Sequence, residues 1–104
     1  MLLRRDLEVD GDALRDFCRR NGIRRLALFG SALGSDFRAD SDVDLLVEFE
    51  PGSTPGMIRV AGMERELQSL FGGRQIDLRT YGDLSRYFRD DVRATATTLY
   101  DAAA

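Results

Sequence analysis

The chain has 104 residues, 43% of them hydrophobic and 32% charged, which suits one globular domain over 1–104 with a single core. It contains no histidine and no lysine, all 15 basic residues being arginine, so a Ser-His-Asp triad, His-ligated zinc, a P-loop lysine and lysine Schiff-base chemistry are excluded. The net charge of −3 argues against direct nucleic-acid binding, and the lone Cys18 excludes an internal disulfide. No apolar run is long enough to span a membrane, and the opening MLLRRDLEVD lacks a signal-peptide core, so a cytoplasmic protein is expected.

Asp10 is a predicted N-cap, and Leu14, Phe17 and Cys18 share one face of the helix that follows it. Asn21-Gly22 stops that helix. IRRLALF (23–29) reads as a buried strand ended by Gly30, and Ser31 to Phe37 as a short helix or a turn. DVDLLVEF (42–49) is a second strand and PGSTPG (51–56) a loop. Thr54-Pro55 predicts a helix start, with Val60, Met63, Leu67, Leu70 and Phe71 at helical spacing up to Gly72-Gly73. RQIDLRT (74–80) is a third strand, Tyr81-Gly82 a turn, and Leu84, Phe88, Val92 and Leu99 predict a last helix. This α-β-β-α-β-α order with short loops predicts an α/β fold, a mixed β-sheet packed against helices.

Side chains alternate between the faces of a strand. Val43, Leu45 and Val47 therefore share one face and Asp42 and Asp44 the other, while Asp77 opposes Ile76 and Leu78 in the third strand. If the second and third strands are neighbours, Asp42, Asp44 and Asp77 converge on one surface. Three carboxylates that close repel unless a cation sits among them. Magnesium with oxygen ligands, near nucleotide phosphates, is the natural partner.

Gly30 and Ser31 lie ten residues (32–41) before Asp42. Free backbone N–H groups after a buried strand make an anion pocket, glycine lets phosphate approach closely, and Ser31 adds a hydroxyl donor. Phosphate at Gly30-Ser31 beside metal at Asp42 and Asp44 is the layout of a nucleotidyl-transfer site. Taken singly, each signal also suits a plainer role: a solvated strand end for the aspartates, a turn for Gly-Ser. Cys18 reads as a core residue rather than a nucleophile, and Tyr81, Tyr87 and Tyr100 as packing residues.

"GS", ten residues, "DVD" and a later "IDL", together with SDVDLLVEFEPG and YFRDDV, resemble the minimal nucleotidyltransferase branch of the nucleotidyltransferase superfamily, of the antitoxin type paired with HEPN-domain toxins. The resemblance runs from about Ile23 to Tyr100. It implies that Gly30 and Ser31 hold the nucleotide's phosphates and that Asp42 and Asp44 bind metal. It also implies that Asp77 helps hold the catalytic metal and deprotonates, or orients, the attacking hydroxyl. Two Mg²⁺ ions, ATP as donor of AMP, and a tyrosine of a HEPN ribonuclease toxin as acceptor follow from the same resemblance, as does a hetero-oligomer with the toxin. Relatives often carry an arginine at the positions of Ala32 or Gly34; here Arg38 is the nearest substitute. Two functions are expected to compete: a catalytic antitoxin, and one that blocks its toxin by contact alone.

Overall fold

The computed structural model describes residues 1–4, 7–35 and 37–103. A two-stranded hairpin comes first, β1 (Leu2–Arg4) against β2 (Leu7–Glu8). Helix α1 (Gly11–Arg20) follows, capped as expected by Asp10, whose carboxylate accepts from the N–H groups of Asp12 and Ala13 at 3.0 and 3.2 Å. Strand β3 (Ile23–Phe29) leads through a 3₁₀ turn (Gly30–Leu33) and a loop to β4 (Val43–Phe49). Helix α2 (Met57–Leu70) crosses to β5 (Ile76–Arg79). A 3₁₀ turn (Tyr81–Asp83), helix α3 (Arg89–Thr95) and β6 (Thr97–Asp101) complete the described chain.

The main sheet has the order β5-β4-β3-β6, with β4 and β5 parallel and the other pairs antiparallel. This is the expected mixed sheet. Its inner face presents Leu26, Leu28, Val43, Leu45, Val47, Ile76 and Leu78 to α1 and α2. Phe17, Cys18, Met63, Leu67 and Phe71 fill the layer between them. The opposite face carries Arg25, Ala27 and Phe29 on β3, then Asp44, Leu46 and Glu48 on β4, in register as Arg25–Glu48, Ala27–Leu46 and Phe29–Asp44. Ala27 and Leu46 are fully buried there although they stand outside the core cluster. Among the described residues, no helix is long and apolar enough to cross a membrane.

Three expectations need correction. The last helix is short, and Leu99 belongs to a strand: Thr97–Asp101 pairs with β3 and covers the edge opposite β5. Two β-branched residues favour that strand, and an open sheet edge offers it partners for its backbone groups. Leu84 precedes α3, and Phe88 is its N-cap rather than an interior residue. Finally, α2 begins at Met57 with Gly56 as N-cap, so Thr54-Pro55 remains in the loop. The hairpin β1–β2 is an element that periodicity did not reveal, because its strands are too short to alternate.

Candidate active site

Parallel pairing of β4 with β5 sets Asp44 directly opposite Asp77. The expected neighbourhood of these two strands is therefore the one observed. Antiparallel pairing of β3 with β4 sets Asp44 beside Phe29, the last residue of β3, so the chain turns away at Gly30 next to the same carboxylate. Gly30 turns with φ +73°, and a Cβ built on it would overlap the Asp44 carboxylate, whose Cγ would be 3.0 Å away. Both the backbone angle and the approach to Asp44 thus require glycine. Ser31 follows at once, and its backbone N–H donates to Asp44. The glycine here makes room for the Asp44 carboxylate.

Asp44 is half-buried, and its carboxyl titrates above its ordinary value. Burial is the largest cause, the charge of Asp77 the next, and Asp42 adds to both; the Ser31 N–H and Arg79 pull the other way. Asp77 is held from the side by Arg79, two residues on and on the same strand face, whose Nε and Nη2 donate to its two oxygens at 3.0 and 3.2 Å. Asp42 is exposed and lies in unpaired backbone one residue before β4. Among the described residues, no group of three or more acidic side chains is drawn together closely enough to make a ready cation site. The close pair is Asp44 with Asp77, and Asp42 stands at its rim.

A model of the nucleotidyltransferase domain matches residues 12–98 of the chain. This protein belongs to that family. The protein adenylyltransferase MntA of Thermococcus cleftensis is 36% identical over 64 residues, which span 62% of this chain and 62% of that relative. A solved structure described as a minimal nucleotidyltransferase is 34% identical, with a TM-score of 0.66 over 83% of this chain and 85% of that one. A solved toxin–antitoxin structure with AMP-PNP shares the fold at 20% identity, with a TM-score of 0.70 over 90% of this chain and 75% of that one.

Other residues of this nucleotidyltransferase position the site. The buried Phe37 carries the Arg74 guanidinium over its ring at 4.4 Å from the centroid. Arg74 Nη1 donates to the carbonyls of Arg38 and Ser41 at 2.8 and 3.2 Å, and the Arg38 N–H donates to Ser41 Oγ at 2.8 Å. The loop that ends at Asp42 is pinned from both sides. Neither Arg74 nor Arg79 was singled out from the sequence. Arg79 left a usable signal, an acid and a base two apart on one strand face; Arg74 left none, because the carbonyls it bonds are backbone groups that every residue carries.

The remaining polar residues are structural or outward-facing. Burial pushes the Cys18 thiol up to about 12, so it is a core residue and no nucleophile. Tyr81 donates to Asp90 and stacks under Arg89, and Tyr100 packs against the core. Tyr87, expected to pack, is 82% exposed, with Arg86 over its ring.

Proposed function

We propose that the chain is a magnesium-dependent protein adenylyltransferase antitoxin. It transfers AMP from ATP to a tyrosine hydroxyl of a cognate HEPN ribonuclease toxin and thereby silences it. The observation that carries this reading is the Asp44–Asp77 pair, set opposite each other at the point where Gly30-Ser31 meets Asp44. The likeness to MntA and the shared fold of a toxin–antitoxin structure with AMP-PNP support the choice of nucleotide and partner.

The donor set fits a hard divalent cation. It is all carboxylate oxygen, and Asp44 is disfavoured as an anion by burial and by Asp77. When bound, two magnesium ions would neutralise the carboxylates and the triphosphate, with Asp42, Asp44 and Asp77 as their ligands. Gly30 and Ser31 bring the phosphates against the end of β3. Asp77 orients the toxin's hydroxyl and takes its proton as the oxygen bonds to the α-phosphorus. The bond from that phosphorus to the β-phosphoryl oxygen breaks, and pyrophosphate leaves. Arg79 keeps Asp77 aimed between turnovers.

A second reading has one observation in its favour: both oxygens of Asp77 are engaged by Arg79. A chain that kept this pair closed would neutralise the toxin by contact alone. Incubation with labelled ATP, magnesium and the toxin separates the two. Label on the toxin is expected; neutralisation without label, undiminished in Asp44→Asn, would favour the contact mechanism.

A further inference from the structure

An open groove of about 680 Å³ runs from Asp77 along the free edge of β5 to the first turns of α2. Its walls are apolar, with Phe49, Pro55, Val60 and Leu78 among them, and Met57 stands at its mouth 90% exposed. Ile58, next to it, is 91% exposed. Two successive large apolar side chains in water at the rim of a concave surface mark a place that another molecule covers. The polar lining includes Glu64, Asp77 and Asp83 against Arg79, three acids and one base. Glu64 and Asp83 lie outside the carboxylates that a cation would neutralise and leave this wall negative, which suits a basic residue of the occupant better than a phosphate.

We infer that this groove seats the acceptor protein: an apolar segment bearing the reactive hydroxyl, with a basic residue beside it, lies between Met57 and Asp77. The inference rests on the transferase reading above and assigns that reaction its second substrate site. Continuity decides the occupant, because Asp77 belongs both to the carboxylate pair and to the groove wall. Whatever fills the groove touches the group that handles the attacking oxygen, on the side away from Gly30 and Ser31. The occupant does not extend the sheet at Leu78. That N–H is already donated to Glu64 Oε2 at 2.9 Å, so side chains rather than a β-ladder make the contact.

The test compares wild type, Met57→Ser and Ala61→Arg. Ala61 is an exposed helical residue of the groove wall, where arginine fills the space without entering the core. AMP transfer is measured against increasing toxin, and ATP–magnesium binding separately by calorimetry. The KM for the toxin should rise about tenfold in Ala61→Arg and less in Met57→Ser, with kcat and ATP affinity within about twofold of wild type. Unchanged KM with transfer intact would overturn the groove and leave the transferase reading standing. Parallel loss of ATP affinity would overturn it differently, by making the groove a nucleotide site. If wild type labels no toxin at all, the transferase reading fails and takes the groove with it.

Discussion

Asp44 and Glu48 lie on the same face of β4, yet their surroundings are opposites. Glu48, with a side chain only 15% exposed, is met by Arg24, Arg25 and Arg93 at 3.3, 3.2 and 3.1 Å. Arg25 also donates twice to Thr98, which ties β4, β3, β6 and α3 together at that end. Asp44 is met by another carboxylate, with one backbone N–H and a more distant arginine in compensation. One acid is compensated several times over; the other is left short of positive charge. The first arrangement holds the sheet; the second is the one proposed to meet a cation.

The contrast breaks most completely at Asp77. Asp77→Asn keeps the size and the strand but removes the carboxylate proposed to handle the hydroxyl. Transfer to the toxin should fall by about 10²–10⁴-fold, the range typical of a lost general base, while ATP binding changes little. Titration calorimetry followed by a transfer assay separates these effects. Transfer near the wild-type rate would remove Asp77 from the chemistry.

Gly30→Val attacks the other wall of the site. The new side chain would overlap Asp44 and force a β-branched residue to φ +73°. Backbone strain of about 1–3 kcal/mol is expected, together with displacement of Asp44 and loss of ATP–magnesium binding by more than about tenfold. Ser31→Ala retains the backbone N–H and should cost only the hydroxyl's share, about 0.5–1.5 kcal/mol. The reverse order, measured by calorimetry on folded variants, would reduce Gly-Ser to a plain turn.

At the compensated end the expectation inverts. Glu48→Gln leaves three arginines without their shared anion and should destabilise the fold by about 1.5–3 kcal/mol, read by urea denaturation. Transfer per folded molecule should be unchanged. A large loss of activity without loss of stability would mean that the two ends of β4 are not separate in role.

How much of this was legible in the sequence follows the same division. IRRLALF and DVDLLVEF were readable because buried strands leave apolar runs, and the Gly-Ser to Asp-x-Asp spacing survived because β3 and β4 are adjacent in both chain and sheet. That β5 lies beside β4 rested on alternation plus one guess about pairing. Strand β6 was hidden because it is half-exposed, so its apolar residues are few, and the step from Val92 to Leu99 satisfies a helix as well as two separate elements. Asp42 precedes the first paired residue, Val43, and is exposed, yet its charge still acts on Asp44. Arg25, Arg74 and Arg79 each fix a partner distant in sequence or two residues away. Composition counts such charges and does not pair them.

The smallest expected effect is also the most direct reading of the uncompensated pair. Burial and Asp77 raise the Asp44 carboxyl in the folded chain above its value in the unfolded one. Between those two values the folded chain holds a proton that the unfolded chain has released, so stability falls as pH rises through that window. Below the window both states are protonated and the penalty is absent; above it the penalty is complete. Asp44→Asn has no such charge to bury. In chelating buffer at pH 7 it should therefore melt a few degrees above wild type, and the gap should close as the pH drops below the ordinary aspartate value. Added magnesium should raise the wild-type midpoint and move the variant less, since the variant has lost one of the cation's proposed ligands. Equal melting of the two proteins at pH 7 without metal would mean that Asp44 is compensated after all, and the difference between the two ends of β4 would lose its physical basis.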